Sequence, residues 1–532
     1  MTATLETAPV VVPPADARPT WRERLQPLTS SRGGWLATLL VALIGGLLRF
    51  VRLDIPGTGV EAKNGGTFGA GKIFDEIYYA CDAKNLLRYG VERNAADGNS
   101  DCLVTDGGSF IVHPPLGKWA IAMGQWAFGE TSTFGWRFSA ALFGTLTIVV
   151  LVRAARRMTG STLLGCLAGL LLALDGLHFV QSRVAMLDIF LCFWVTATFA
   201  CLVVDRDTVR QRLADADDDD LDGWGPRVGR RPWRLAAGIC IGAAVATKWS
   251  ALFYVVVLVL MAFAWEVGAR RTAGVVAPVR ATVVRSVAPL LLTLLVLPAA
   301  LYVLSWAGWF LTDEGYDRNW AASNPASGLA TLLPDDLRSW WQYHREIFGF
   351  HDNLSSPHPY QSHPIGWLLL ARPVSYYYPQ GVGAGEYGCT AASCAREVLA
   401  IGTPAIWWAT IPMLVVCLWL WVSRRDWRAA AVLVMVLTAI VPWVRDDLDG
   451  RTMFLFYALP AVPFMCLGLA LVAGWALGGR DATPRRRAAA SAGIGVYVAA
   501  VLLNFVLLYP VLAAQTLAYD DWRLRMWFST WI

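Results

Sequence analysis

An adjacent acid pair, Asp75–Glu76, stands in the stretch Phe74-Asp75-Glu76-Ile77-Tyr78-Tyr79. Where the dielectric is lowered, one carboxylate of such a pair can serve as a general base while its neighbour holds a substrate or assists the base. On a fully solvated loop the pair would do nothing, so its surroundings decide. Six basic residues, Arg49, Arg137, Arg183, Lys248, Arg445 and Arg451, mark the ends of apolar stretches on one and the same side. Any one of them could snorkel to lipid phosphate. Six on a side that membrane proteins usually deplete of Lys and Arg point instead to a bound phosphate or pyrophosphate. In His113-Pro114-Pro115-Leu116-Gly117-Lys118-Trp119, two prolines fix a turn before a Trp-containing apolar stretch that fits a helix lying in the membrane interface. Acid pair, cationic cluster and apolar groove together fit an enzyme that uses a lipid-linked phosphate donor. A Gly-x-x-x-x-Gly-Lys-Ser/Thr loop is missing, so cytosolic nucleotide hydrolysis has no support.

The elements that must position these residues follow from composition. Of 532 residues 56% are hydrophobic and 16% charged, against roughly a quarter charged in soluble proteins. That excludes an ordinary soluble enzyme and predicts an all-α polytopic membrane protein; the net charge of +5 is too small to suggest a nucleic-acid partner. A membrane helix needs about 20 mostly apolar residues to cross about 30 Å. Eleven stretches qualify: Trp35–Leu53, Gly135–Val152, Ser161–Leu177, Val184–Val204, Trp233–Thr247, Ser250–Trp265, Val287–Phe310, Gly402–Trp421, Ala429–Val444, Thr452–Leu477 and Ala488–Leu512.

Arginines collect in alternate connections, in one phase. Arg18, Arg22, Arg24 and Arg32 precede the first span; Arg153, Arg156 and Arg157, seven Arg from Arg206 to Arg234, Arg270, Arg271, Arg280 and Arg285, Arg424, Arg425 and Arg428, and Arg480 with Arg485–Arg487 follow. These segments are expected in the cytoplasm. The expected layout is then a cytoplasmic disordered tail 1–34, a retained first span 35–53, an outer loop 54–134, spans two to seven within 135–310, a second outer loop 311–401, spans eight to eleven within 402–512, and an outer C-terminal segment 513–532. Loops of this length are usually functional. The acidic run Asp215–Asp222 reads as a solvated cytoplasmic patch.

Six of the ten cysteines fall in predicted spans and count as small apolar residues. The other four lie in the outer loops, where an oxidising compartment permits disulfides, and the simplest connectivity pairs Cys81 with Cys102 and Cys389 with Cys394. Zinc finds no support in any Cys-x-x-Cys or His–Cys spacing.

At these residues the sequence resembles the protein O-mannosyltransferases, multispan glycosyltransferases of the GT-C fold class. The matching blocks are Arg49 before Pro56, Phe74-Asp75-Glu76, His113 to Lys118, Arg137-Phe138-Ser139-Ala140, Ser182-Arg183 with Leu187-Asp188, Thr247-Lys248, His358-Pro359-Tyr360-Gln361-Ser362 through Trp367 to Arg372-Pro373, and Arg451 before Phe454–Pro460. The Trp-rich end, Trp522 to Trp531, looks like actinobacterial members. The resemblance implies inverting transfer of mannose from polyprenyl phosphate mannose to Ser or Thr hydroxyls of proteins being secreted, at the outer face of a bacterial plasma membrane. It implies Asp75 as general base, Glu76 as its assistant or as a holder of the acceptor, and Arg137 and Lys248 as phosphate ligands. Arg49, Arg183 and Arg451 would share that work or form structural ion pairs, while His113, Lys118, Asp188, His358 and Tyr360 would shape the site or meet the acceptor. No cofactor is required: the leaving phosphate carries its own charge, so the chemistry does not demand a metal, and the sequence does not decide whether a divalent ion takes part. The implied partners are the lipid-linked donor, secreted acceptors, membrane lipid and the translocon.

Two features depart from the family. The second outer loop is too short for the β-trefoil-like domain of eukaryotic members, and the Gly-rich insert Gly57–Lys72 is longer than the pattern. The alternatives are a GT-C transferase moving arabinose or aminoarabinose to a glycan or lipid, and, less well supported, a transporter. An Asn-directed oligosaccharyltransferase would carry Trp-Trp-Asp-Tyr-Gly, from which Trp340-Trp341-Gln342-Tyr343 departs at the acid.

Overall fold

The computed structural model describes residues 31–57, 71–96, 102–217, 221, 224–479 and 482–532. Arg18, Arg22 and Arg24 of the tail, Arg480, the interior of the Gly57–Lys72 insert, and Asp218, Asp219, Asp220 and Asp222 of the acidic run lie outside the described residues.

In chain order the main helices are α1 (Arg32–Phe50), α2 (Glu76–Tyr89), α3 (Leu116–Phe128), α4 (Thr133–Thr159), α5 (Thr162–Ala173), α6 (Gly176–Gln181), α7 (Asp188–Ala214), α8 (Pro232–Val245), α9 (Ala251–Thr272), α10 (Pro278–Ser305), α11 (Asp335–Asp352), α12 (Pro404–Arg424), α13 (Trp427–Leu448), α14 (Leu455–Leu477) and α15 (Pro484–Leu512). Caps set several starts: the side chains of Ser31, Ser132, Ser161 and Thr483 each accept from a backbone N–H in the first turn of α1, α4, α5 and α15. Gly90 and Gly160, at φ 76° and 71°, end α2 and α4 in the left-handed conformation that glycine adopts without strain.

Nine of the described helices are long and apolar enough to span a bilayer: α1, α4, α7, α9, α10, α12, α13, α14 and α15. α14 and α7 are the most enclosed, and α10 and α15 the most peripheral. Leu292 and Leu304 of α10 and Leu503 of α15 point outward from the bundle. Helices apolar all round with exposed leucines are stable against lipid and not against water, so this is a membrane-embedded, multispan protein.

The third and fifth expected spans differ from the reading of the sequence. α5 has 12 residues and α8 has 14, about 18 and 21 Å long at 1.5 Å per residue, short of the hydrocarbon thickness. α5 stops because Asp175 turns the chain into α6: its carboxylate accepts from His178 N at 2.9 Å, Thr403 N at 3.2 Å and Trp407 Nε1 at 2.8 Å. α8 gives way to the turn that carries Lys248. Elsewhere the helices outrun the apolar stretches, so that Arg153, Arg156 and Arg157 lie within α4, and Arg280 and Arg285 within α10. A π turn, Leu292–Val296, follows Pro289 in α10, where the proline cannot donate to the helical ladder.

The two long loops fold and pack on each other. The first holds α2, the antiparallel pair β1 (Arg93–Ala95) and β2 (Val104–Gly108), and α3. Met123 and Trp126 of α3 are exposed. The second holds α11, an antiparallel pair of β3 (Val374–Tyr377) with β6 (Val398–Ala400), and strands β4 (Val382–Gly383) and β5 (Ser393–Arg396). The C-terminal segment is not a free tail: β7 (Thr516–Ala518) pairs with β5, and Trp522 Nε1 donates to Glu397 at 2.7 Å. Between the loops, Ile111 N donates to Tyr343 Oη at 2.9 Å and His351 Nε2 to Val112 O at 2.8 Å. Both expected disulfides form, Cys81–Cys102 and Cys389–Cys394.

Candidate active site

The two acids of the pair do different work. Glu76, the first residue of α2, is wholly buried. Its carboxylate accepts from Arg137 Nε at 2.7 Å and Nη2 at 2.8 Å, from Ile73 N at 3.0 Å and from Ala185 N at 2.9 Å. Four donors on one buried carboxylate satisfy its charge and lock α2 to α4 and to the segment before α7. Arg137 is likewise wholly buried, and its remaining donors go to the carbonyls of Leu53, Pro56 and Gly71. All five N–H groups of that guanidinium are spent, which leaves none for a phosphate.

Asp75, one residue earlier, occupies the N-cap position of α2 but makes no cap hydrogen bond. Among the described residues its carboxylate forms no hydrogen bond or ion pair, and it is only half-buried. Burial pushes its pKa up to about 6; the Lys248 ammonium works against that rise and the Asp188 carboxylate adds to it. Phe74 presents Asp75 from a left-handed backbone, φ 48°. The Phe74 ring is held by stacking on Tyr376 at 4.3 Å and by the edge of Phe456 at 5.9 Å. Tyr376 is fixed in turn, its hydroxyl accepting from Gln181 Nε2 at 2.7 Å.

The cation that acts on this carboxylate is Lys248. The turn after α8 carries it, and its ammonium donates to both oxygens of Asp188, at 2.9 and 3.0 Å. Asp188 opens α7, where a carboxylate also favours the helix dipole. The Tyr457 ring lies 4.8 Å from the ammonium and the Phe456 ring 5.9 Å. Among the described residues Asp188 is the hydrogen-bond partner of this ammonium, which leaves it donor capacity for a further acceptor.

A third group joins from the second loop. His351 stacks on His113 with ring centres 5.3 Å apart. Because His351 Nε2 donates to Val112 O, its Nδ1 is an acceptor, and Arg451 Nη2 approaches it at 3.4 Å. Arg451 also pairs with Asp446 at 3.3 Å and lies over Trp443 at 5.4 Å, while its Nε is buried without a hydrogen-bond partner among the described residues. His113 Nδ1 is in the same condition. Burial, aided by the nearby cations Lys248 and Arg451, lowers His113 well below the ordinary imidazole value and His351 to about 4, so both rings are neutral near pH 7.

The structure thus brings Asp75, Lys248, Asp188, His113 and Arg451 together. It sets apart other residues expected at the site. Arg49 is wholly buried among spans, donating to Gly45 O at 2.9 Å and Ser182 Oγ at 3.1 Å and lying 2.8 Å from His178 Nδ1. Arg183 caps the end of α1 through the carbonyls of Arg49, Val51 and Arg52 at 2.7–2.8 Å. Arg137 and Arg49 spend all their N–H groups inside the fold, which leaves Arg137 none for the phosphate expected of it and fits the structural alternative expected of Arg49, while Arg183 ties the end of α1 in place. Lys118 is bound between Glu92 at 2.6 Å and Asp82 at 3.3 Å and shapes the first loop. His358 and Tyr360 sit in the second loop, joined to the centre through Phe454, whose ring meets His358 at 5.0 Å and stacks on Phe456 at 5.4 Å. Arg445 is exposed. Among the described residues no three His, Cys, Asp or Glu side chains gather in a way that could hold a metal.

His351, Tyr79, Tyr376 and Tyr457 went unnoticed in the sequence. Tyr79 and Tyr457 do fall within blocks already singled out, Phe74–Tyr79 and Phe454–Pro460, but neither was given a role there. The others are ordinary aromatic and His residues of long loops, and proximity alone distinguishes them.

Comparison with known proteins decides the family. A model described as dolichyl-phosphate-mannose-protein mannosyltransferase matches residues 100–307, and one described as the C-terminal four TMM region of protein-O-mannosyltransferase matches 336–531. The polyprenol-phosphate-mannose–protein mannosyltransferase of Mycolicibacterium smegmatis is 37% identical over 98% of this chain and 96% of its own. The chain belongs to the protein mannosyltransferase family. Another protein of the same name, from Mycobacterium tuberculosis, is 39% identical to this mannosyltransferase-family chain, covering 98% of it and 94% of the relative. Among solved structures, the S. cerevisiae protein O-mannosyltransferase Pmt1-Pmt2 complex bound to the sugar donor matches with a TM-score of 0.70 at 15% identity, over 95% of this chain and 93% of that one. At that identity the likeness is one of fold, the GT-C architecture expected from the sequence.

Proposed function

We propose that this chain transfers mannose, with inversion, from polyprenyl phosphate mannose to Ser or Thr hydroxyls of proteins leaving the cell. The observation that carries the reading is the division within the acid pair: Glu76 is consumed by Arg137, while Asp75 stands unpaired beside Lys248. Asp75 takes the proton of the acceptor hydroxyl as its oxygen attacks the anomeric carbon. The bond from that carbon to the phosphate oxygen breaks on the opposite side, and the polyprenyl phosphate leaves with the electron pair. Lys248 and Arg451 stabilise the charge that gathers there, and Asp188 holds Lys248 in place. The proton on Asp75 is released to water once the product departs.

The donor's isoprenoid tail lies against the spans and the acceptor enters from the folded loops. The arginine pattern puts the N-terminus in the cytoplasm and the loops outside a bacterial plasma membrane. Acceptors would reach such a site as they emerge, which makes the translocon the natural partner.

The test is direct. Purified protein is given labelled polyprenyl phosphate mannose and a peptide rich in Ser, Thr, Pro and Ala. Wild type labels the peptide and Asp75→Ala does not; equal labelling by both removes Asp75 as the base. Labelling only from a donor carrying another sugar shifts the reading to the arabinose or aminoarabinose alternative.

A further inference from the structure

Behind Lys248 runs a hydrogen-bond chain that touches none of the reacting groups. Trp249, the next residue, donates from Nε1 to Tyr302 Oη at 2.9 Å. Tyr302, at the end of α10, lies 2.7 Å from His344 Nε2. His344 is in α11, and its Nδ1 is 2.8 Å from Trp340 O, one turn back in the same helix.

The directions of these bonds are determined. A carbonyl only accepts, so His344 Nδ1 carries the hydrogen; in a neutral ring Nε2 then accepts, and Tyr302 must donate to it. Burial keeps the ring neutral, lowering His344 to about 4. The indole donates, the phenol accepts from it and donates onward, and the imidazole accepts at Nε2 and donates at Nδ1. The aromatic bodies reinforce the chain: Trp306 stands 4.9 Å from the His344 ring and Trp340 4.0 Å, while Trp249 is 5.8 Å from His344 and 6.1 Å from His351.

From this geometry we infer that Trp249, Tyr302 and His344 are positioning residues for Lys248, fixing the short turn after α8 against α10 and α11. The backbone of the turn is held on one side, by Thr247 N and Lys248 N bonding to Ala244 O and Leu116 N to Ala246 O, and the Trp249 chain holds it from the side of α10 and α11. Among the described residues, Asp188 is the ion-pair partner of the Lys248 ammonium. A turn free to shift by an ångström would move the ammonium away from the leaving phosphate, a displacement to which catalysis is sensitive. The inference rests on the phosphate role proposed for Lys248.

Steady-state kinetics on the purified full chain, with polyprenyl phosphate mannose and the Ser/Thr-rich peptide varied separately, tests it. Tyr302→Phe keeps the ring and deletes the hydroxyl, leaving both neighbours unpaired. It is expected to raise the donor KM, or lower kcat, about fivefold, the worth of a hydrogen bond, with the peptide KM unchanged. His344→Leu should behave alike. His344→Gln, whose amide oxygen can stand in for Nε2, should return the donor parameters to within about twofold of wild type. Lys248→Ala is the control for the underlying role. If Lys248→Ala impairs the donor side while Tyr302→Phe and His344→Leu only lower Tm, the positioning inference is overturned and the phosphate role stands. If Lys248→Ala leaves the donor parameters unchanged, both fall.

Discussion

Arg137 grips Glu76 through two parallel hydrogen bonds, Nε to Oε1 at 2.7 Å and Nη2 to Oε2 at 2.8 Å, with both side chains wholly buried. The pair joins α2 to α4 and sets where α2 begins, and so where Asp75, just ahead of it, is presented. In the proposed mechanism its contribution is geometric.

Removing one member leaves a buried charge alone. Arg137→Ala should cost about 3–5 kcal/mol of stability, seen as a lower Tm by tryptophan fluorescence in detergent. Arg137→Lys should recover little of it, because one ammonium cannot supply two parallel bonds and also reach three carbonyls. Wild-type Tm in Arg137→Lys would mean that the fork geometry is dispensable.

Activity should depend on the protonation of Asp75. With its pKa raised to about 6 by burial, the carboxylate is available as a base above that value and is lost as pH falls through it. The acid limb of kcat/KM is therefore expected near pH 6, not near 4. Asp75→Asn should lower kcat by about 100-fold or more and abolish the limb; a limb that persists in the residual activity belongs to another group.

The same shift has a stability counterpart of opposite sense. Between its ordinary value of 3.8 and about 6 the folded chain binds the Asp75 proton more tightly than the unfolded chain does. The carboxylate is thus a cost to folding that is full above pH 6 and absent below about 4. Asp75→Asn should match or exceed the wild-type Tm at pH 7.5, with the difference vanishing as pH approaches 4. A Tm well below wild type at pH 7.5 would reveal a structural partner for Asp75.

Arg49→Lys should lower Tm and leave the donor KM within about twofold, since the guanidinium serves Gly45, Ser182 and His178 inside the bundle. A raised donor KM at unchanged Tm would return Arg49 to the phosphate.

The disulfides should differ in worth. Cys81–Cys102 closes 21 residues and Cys389–Cys394 closes 5, and loop entropy assigns them about 3 and 2 kcal/mol. Replacing each pair by alanines and comparing Tm checks the order, with thiol labelling under denaturation confirming both bonds in the parent chain.

Much of this was legible in the sequence because it depends on local chemistry. Long apolar runs must become helices in lipid, so the membrane class, nine of the eleven expected spans and the two folded loops follow from residue type and spacing alone. The acid pair stood out for the same reason, and so did the cysteines. What α5 and α8 would do was not legible, since Asp175 ends α5 through partners more than 200 residues away, Thr403 and Trp407.

The division of labour among the charges was settled only by tertiary structure. Asp75 and Glu76 are neighbours with nearly the same chemistry, and nothing local says which will be neutralised. An arginine 61 residues on reaches one and not the other. Arg49, Arg137, Arg183 and Lys248 are equally cationic in the sequence. Once folded, the three arginines spend donors on carbonyls, a hydroxyl, an imidazole and a carboxylate, while Lys248, among the described residues, bonds to Asp188 and acts on Asp75 through its charge. A residue's type sets what it can do; which of its bonding sites stay open depends on what the fold packs against it.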